Sequence, residues 1–331
     1  MKYVDLVLGK ETNKTVKISK LCFGSLCIGP LQSDLDLNTG AEILKCAFDA
    51  GVNFIDTAQL YDTYKYIKAA FDNYNISRDS IVISTKTYAY TRKLAEEALN
   101  EALRELNCNY IDIFMLHEQE SINTIWGHIE ALEYLFEQKE AGKIRAVGIS
   151  THHVAGVLGA VEFNETYQKN NKNKLNIIHP MYNMTGLGII GELNEMETAL
   201  LKAKESGFFI FSMKALGGGN LYSRAEEALN FVINKPFIDS VAVGMKSVIE
   251  VESNVKFFET GRFSEEYYRS YPAIKKRLHI DDWCTGCGNC VKICPAKSLE
   301  IKDSQAVCNE SKCLLCGYCS SACRDFAIKI I

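Results

Sequence analysis

Short runs of apolar and β-branched residues recur along the first 245 residues, each closed by a glycine or polar residue and followed by a stretch with helical spacing. The runs end at Gly24, Asp56, Lys86, His117, Ser150, His179, Ser212 and Val243, and successive ends fall 29 to 33 residues apart. Between them, residues 39–50 put Ala41, Ile43, Leu44, Ala47 and Phe48 on one helical face, and residues 91–106 repeat the pattern with Leu94, Ala98, Leu99, Ala102 and Leu103. Strands that alternate with helices pair in parallel, because each crossover returns the chain to the same sheet. Eight such units predict an α/β chain built on a closed (β/α)₈ TIM barrel, with an open doubly wound sheet as the alternative. In a closed barrel the carboxyl ends of the strands ring one mouth. Asp56, Lys86 and His117 would then meet, although 30 and 61 positions separate the later two from the first.

Ahead of the first barrel strand, Tyr3 to Ile18 alternates polar and apolar residues around positions 9–13, which predicts a β-hairpin that plugs one barrel end. Residues 163–174, rich in Asn and Lys, predict a solvated loop. The charged stretch with Glu265-Glu266-Tyr267-Tyr268 and Lys275-Lys276-Arg277 reads as a helical linker. The division is thus a barrel over 1–258, a linker over 259–283 and a small α+β module over 284–331.

Composition narrows the partners. Across 331 residues the chain is 47% hydrophobic and 24% charged, as ordinary globular proteins are. The formal net charge is −4 and there is no long basic run, so neither nucleic acid nor an anionic membrane is expected as partner. No apolar stretch reaches the roughly 18 residues of a membrane span, and the start lacks a secretory pattern, so a cytoplasmic protein is expected.

Cysteine is unevenly spread: nine of thirteen lie in the last 48 residues. Cys284, Cys287, Cys290 and Cys294 form C-x₂-C-x₂-C-x₃-C, and Cys313, Cys316, Cys319 and Cys323 repeat it. That run is the bacterial ferredoxin spacing, in which three thiolates of a tight loop hold one cubane while the fourth ligates the other. Two [4Fe–4S] clusters are expected, one on Cys284, Cys287, Cys290 and Cys323, the other on Cys313, Cys316, Cys319 and Cys294, in a ferredoxin-like module suited to an anaerobic host. Zinc prefers four ligands from separated pairs, and disulfides are disfavoured in a reducing compartment. Cys308 falls outside both sets and reads as a spare thiol, while Cys22, Cys27, Cys46 and Cys108 read as small buried hydrophobes.

Asp56-Thr57-Ala58-Gln59-Leu60-Tyr61, Ser84-Thr85-Lys86 and Met115-Leu116-His117, at strand ends and in this order, resemble the aldo-keto reductase family over most of residues 1–258. The whole resembles the branch with a C-terminal ferredoxin-like extension. The resemblance implies a catalytic tetrad of Asp56, Tyr61, Lys86 and His117. Tyr61 would give a proton to a carbonyl oxygen, made more acidic by Lys86; Asp56 would keep Lys86 charged, and His117 would orient the substrate oxygen. A nicotinamide cofactor is implied as well, NADPH ahead of NADH. Ser150, Thr151 and His179 would meet its carboxamide, with Thr151 and His179 standing where relatives carry Asn and Gln. Met213, Lys214 and Leu216, before three glycines that allow close approach to a pyrophosphate, match the seventh strand-loop. Gly244, Lys246, Ser247 and Asn254 match the adenosine end, where Glu250 replaces an Arg common in NADPH-preferring relatives.

Hydride transfer moves an electron pair, whereas a cluster passes one electron at a time, so three functions stay open. The chain is an oxidoreductase on a small carbonyl or alcohol substrate with structural or regulatory clusters; or its clusters exchange electrons with a partner electron-transfer protein; or it is a non-catalytic electron-transfer or redox-sensing module.

Overall fold

The computed structural model describes residues 1–7, 15–169, 173–265 and 276–331. β1 (Tyr3–Val7) and β2 (Thr15–Ser19) pair antiparallel. Their alternation turns Leu6 and Ile18 onto Cys22, Phe54, Val82 and Phe211 inside the barrel, so the hairpin is the expected plug. Its turn, at positions 9–13, lies outside the described residues.

Eight parallel strands follow: β3 (Leu21–Gly24), β4 (Phe54–Asp56), β5 (Val82–Thr87), β6 (Ile111–Leu116), β7 (Ile144–Thr151), β8 (Ile177–Pro180), β9 (Phe209–Ser212) and β10 (Ser240–Gly244). β10 pairs with both β9 and β3, which closes the barrel. Each strand ends within one residue of the end read from the sequence. The outer ring comprises α1 (Leu37–Asp49), α2 (Tyr64–Tyr74), α3 (Arg92–Glu105), α4 (Ile122–Gly127), α5 (Ile129–Glu140), α6 (Val154–Tyr167), α7 (Leu193–Glu205), α8 (Ala225–Ile233) and α9 (Val248–Thr260). Caps start several of them. Asp36 accepts the Thr39 N–H at 3.0 Å before α1, and Thr91 accepts the Leu94 N–H at 3.3 Å before α3.

Two expectations need correction. The solvated loop over 163–174 begins later, because α6 runs to Tyr167 with Phe163 fully buried and stacked on the Tyr167 ring at 4.9 Å. Asn164 is buried too, since its amide brackets both backbone groups of Leu175 at 2.8 and 2.9 Å; a polar residue in a polar run is here a structural clamp. Residues 170–172 lie outside the described residues.

The expected helical linker also gives way before Cys284. β11 (Leu278–Ile280) is already part of the small module, followed by α10 (Asn289–Ile293), β12 (Leu299–Lys302), β13 (Gln305–Cys308), α11 (Tyr318–Ser321) and β14 (Ile328–Ile330). β11 pairs with β14 because Leu278 buries against Ile328 and Ile330 in the module's own core, a strand too short to show as periodicity. Residues 266–275 of the linker lie outside the described residues.

The module is seated on the barrel mouth. Ile330 N–H donates to Gly218 O at 2.9 Å, and a Cβ on Gly219 would stand 1.7 Å from the Ile330 carbonyl oxygen. The loop after β9 therefore needs glycine where β14 lies across it. No helix among the described residues is long and apolar enough to cross a membrane.

Candidate active site

Asp56 ends β4, Lys86 lies near the end of β5, His117 follows β6, and Tyr61 closes a short 3₁₀ turn after β4. Lys86 is fully buried, and its ammonium donates to Asp56 Oδ1 at 2.8 Å, Asp56 Oδ2 at 2.7 Å and the Thr57 carbonyl at 2.7 Å. Burial alone would raise the Asp56 pKa, but the charges of Lys86 and then His179 outweigh it and hold the carboxyl well below the usual carboxylate range. His117 is pushed well below the ordinary imidazole value, first by burial and then by Lys86, so its ring is neutral. Its Nδ1 is buried without a hydrogen-bond partner among the described residues. The ring stacks on Tyr88 at 4.4 Å and meets Tyr61 edge-on at 5.7 Å.

Burial works against the expected acidification of Tyr61. The Lys86 N–H groups go to Asp56 and Thr57, and the ammonium lies over the Tyr61 ring, 4.8 Å from its centroid. Burial, followed by the Asp56 charge, pushes the phenol well above its ordinary value. In this geometry the tyrosine is a protonated phenol with a cation against its ring face.

The ten nicotinamide candidates divide. Met213, Lys214, Leu216, Gly244, Lys246 and Asn254 line one cavity of about 220 Å³, which also contains Asp56, Tyr61 and His179. Ser150, Thr151 and Ser247 are not in its lining. Ser150 Oγ accepts the Glu118 N–H at 2.8 Å. Thr151 Oγ1 accepts the His153 N–H at 2.9 Å and is turned toward the start of α6. Ser247 caps α9, accepting the Glu250 N–H at 3.2 Å. His179, whose pKa burial lowers, sits beside the buried pair: Nδ1 is 2.6 Å from the Phe211 carbonyl and Nε2 is 3.5 Å from Asp56. At the far end Glu250 accepts the Lys246 N–H at 2.7 Å and stands 3.6 Å from the Lys276 ammonium.

Sequence reasoning missed the module's part in this cavity, whose wall includes Lys276, Lys329, Ile330 and Ile331. Lys329 is buried, donating to the Asp281 carboxylate and to the Phe326 carbonyl at 3.3 Å. The Lys214 ammonium donates to His152 Nε2 at 3.0 Å and lies 4.5 Å from the Phe326 ring centroid. His152 Nε2 is also 3.7 Å from Glu118, which accepts the Tyr88 hydroxyl at 2.7 Å. Lys214 and Glu118 hold left-handed backbone, φ +59° and +51°, which costs about 1 kcal/mol or more for each non-glycine residue. The sequence carried one trace of this contact, Gly217-Gly218-Gly219, and the close approach that two of these glycines serve is that of the chain's own β14 and Phe326.

In the module, Cys290 and Cys319 are buried in one small core, with Cys284, Cys294, Cys308, Cys313 and Cys323 packed against it. Backbone N–H groups of Ala306, Ala327 and Ser298 point at Cys284, Cys323 and Cys294, 3.3 to 3.4 Å from sulfur. Cys308, expected as a spare thiol, is partly buried against the same core. Thiols converging in a small apolar core with N–H groups aimed at sulfur suit an iron–sulfur donor set. Among the described residues no three His, Cys, Asp or Glu side chains lie close enough together to hold one metal ion.

Comparison with known proteins agrees with both halves. A model of the aldo/keto reductase family matches residues 20–227, and a model of the 4Fe-4S dicluster domain matches residues 277–324. YqkF, an uncharacterized oxidoreductase of Bacillus subtilis, is 22% identical over 293 residues, spanning 78% of this chain and 95% of its own length. The aldo-keto reductase YhdN of the same organism is 26% identical over 232 residues, covering 65% of this chain and 64% of that protein. A solved Pseudomonas aeruginosa protein described as an aldo-keto reductase shares the fold with a TM-score of 0.63 at 20% identity, covering 78% of this chain and 94% of that one.

Proposed function

We propose, from the premise that the chain belongs to the aldo/keto reductase family and carries a 4Fe-4S dicluster domain, that this NAD(P)-dependent oxidoreductase reduces a small aldehyde or ketone, or runs the reverse alcohol oxidation, with Tyr61 as general acid. One observation carries the reading: the Asp56–Lys86 pair, the Tyr61 phenol and a neutral His117, its Nδ1 without a partner among the described residues, converge at one barrel mouth.

The nicotinamide, when bound, supplies the hydride. Tyr61 stays protonated until charge develops on the substrate oxygen, then gives its proton. The Lys86 ammonium over its ring favours the phenolate that results, and Asp56 keeps that ammonium charged. His117, neutral, offers a ring N–H to the same oxygen and orients the carbonyl. Ser150 and His179 would hold the carboxamide, with Thr151 behind them; the loop at Met213, Lys214 and Leu216 would carry the diphosphate on its backbone. Gly244, Lys246, Ser247 and Asn254 would hold the adenosine end. NADPH is the proposed cofactor and NADH the alternative. Glu250 would repel a 2′-phosphate, but Lys276 stands beside it and offsets that charge. Two [4Fe–4S] clusters would sit on Cys284, Cys287, Cys290 and Cys323, and on Cys313, Cys316, Cys319 and Cys294, in a reducing cytoplasm that preserves thiolates.

A second reading, in which the clusters pass electrons between a partner protein and the barrel, is favoured by one feature. Phe326, three residues after Cys323, reaches Lys214 in the mouth. Tyr61→Phe tests the first reading. The variant, purified anaerobically, is expected to lose about 10²- to 10⁴-fold in nicotinamide-dependent carbonyl reduction, and retained activity would overturn Tyr61 as the acid.

A further inference from the structure

Half-buried Lys214 departs from the pattern of the two buried cations beside it, Lys86 and Lys329. Lys86 is held by Asp56, and Lys329 by Asp281. Lys214 has no carboxylate at ion-pair distance among the described residues; its polar partner is the neutral imidazole of His152. Glu118, an acid on the rim, is exposed and accepts the Tyr88 hydroxyl, so water screens it, while Lys214 is half-buried against His152 and Phe326. Burial depresses the Lys214 pKa to about 8, which still leaves an ammonium at neutral pH.

The direction of this side chain is informative. Its backbone lies after β9, on the half of the mouth that runs toward Lys246 and Asn254. The ammonium instead crosses to His152, after β7, beside the Glu118, Tyr88 and His117 group. It is roofed by Phe326 of the small module, whose ring fits only because Gly188 and Gly218 lack side chains; a Cβ at either would come within 2.4 and 3.0 Å of that ring.

The geometry points to an anion subsite on the substrate side of the mouth, formed by Lys214 and His152 beneath Phe326, that selects small carbonyl compounds bearing a carboxylate. The subsite rests on the carbonyl-reduction reading for its chemistry, and it makes the cysteine module part of substrate selection. The carbonyl would face Tyr61 and His117 while the carboxylate pairs with Lys214. The same ammonium could serve the cofactor's diphosphate, since both ligands are oxyanions, and the experiment separates the two.

The test uses the full chain with its clusters intact, comparing 4-carboxybenzaldehyde with its methyl ester, and measuring binding of terephthalate, a non-reacting mimic of the acid, by calorimetry. Wild type is expected to favour the acid by about tenfold or more in kcat/KM, through KM, and Lys214→Met to bring that ratio near unity while weakening terephthalate about tenfold. Lys214→Arg, which keeps the charge, is expected to keep the preference. Equal use of acid and ester by wild type, or a Lys214→Met variant that loses nicotinamide binding with an unchanged acid-to-ester ratio, overturns the subsite. If wild type binds terephthalate through Lys214 but reduces neither aldehyde, the carbonyl reading fails and the anion site stands.

Discussion

Lys86 reaches Asp56 across 30 positions of chain and is fixed there by three hydrogen bonds of 2.7 to 2.8 Å. Cys284, Cys287 and Cys290 are neighbours along one loop, and what the protein offers the sulfurs of the module is a few N–H groups at 3.3 to 3.4 Å. The barrel mouth is tied together by its own side-chain bonds. The module's core of buried apolar residues is small, Leu278, Leu299, Ala306, Ile328 and Ile330 beside Cys290 and Cys319, and domains of this size commonly need a metal or disulfide to hold them. One site is organised by contacts distant in sequence; the other is organised by local cysteine spacing.

The contrast can be broken from either side, and the largest effect is expected at the barrel. Lys86→Met strands the buried Asp56 carboxylate, which should cost about 3–5 kcal/mol of stability along with nearly all turnover; calorimetric unfolding and steady-state rates check both. If Lys86→Met melts with the wild type, the pair is not the organising element of the mouth. Removing iron with a chelator under anaerobic conditions should make the module sensitive to protease while the barrel keeps its cooperative transition. Joint loss of both would show that the halves form one folding unit.

Smaller changes address the seam. Gly219→Ala forces a Cβ into the Ile330 carbonyl and, by over-packing, should cost about 1–3 kcal/mol, read as an earlier exchange of the Ile330 amide. The smallest effect is in pH. Lys214 carries charge below about 8 and loses it above; the groups facing it are His152, Glu118, Lys329, His117 and Lys86. KM for a carboxylate-bearing substrate should therefore rise as pH passes upward through about 8, and KM for its ester should not. A flat profile for the acid would separate Lys214 from substrate binding.

Legibility followed the range of the interaction. The eight strand ends could be read because each run repeats a local rule, apolar then polar, and barrel closure converts that repeat into position. The meeting of Asp56, Lys86 and His117 was legible for the same reason, Tyr61 entered through the family resemblance, and the cysteines were legible because their spacing is itself the signal. The acidity of Tyr61 was not, because it depends on where three N–H groups of Lys86 go. Asn164 looked solvated until Leu175 came beside it. Lys329 and Phe326 belong to no motif, and their meeting with Lys214 depends on docking between segments more than 100 positions apart. The three glycines admitted two tenants, a diphosphate or the chain's own terminus, and sequence alone does not choose.

The most direct measurement is an anaerobic single turnover with nicotinamide deuterated at the transferring C4 position, following both the label and the visible absorption of the clusters. Direct hydride transfer at the barrel mouth predicts deuterium on the carbonyl carbon of the product alcohol while the clusters keep their colour. Product carrying solvent hydrogen at that carbon, together with bleached clusters, would contradict it.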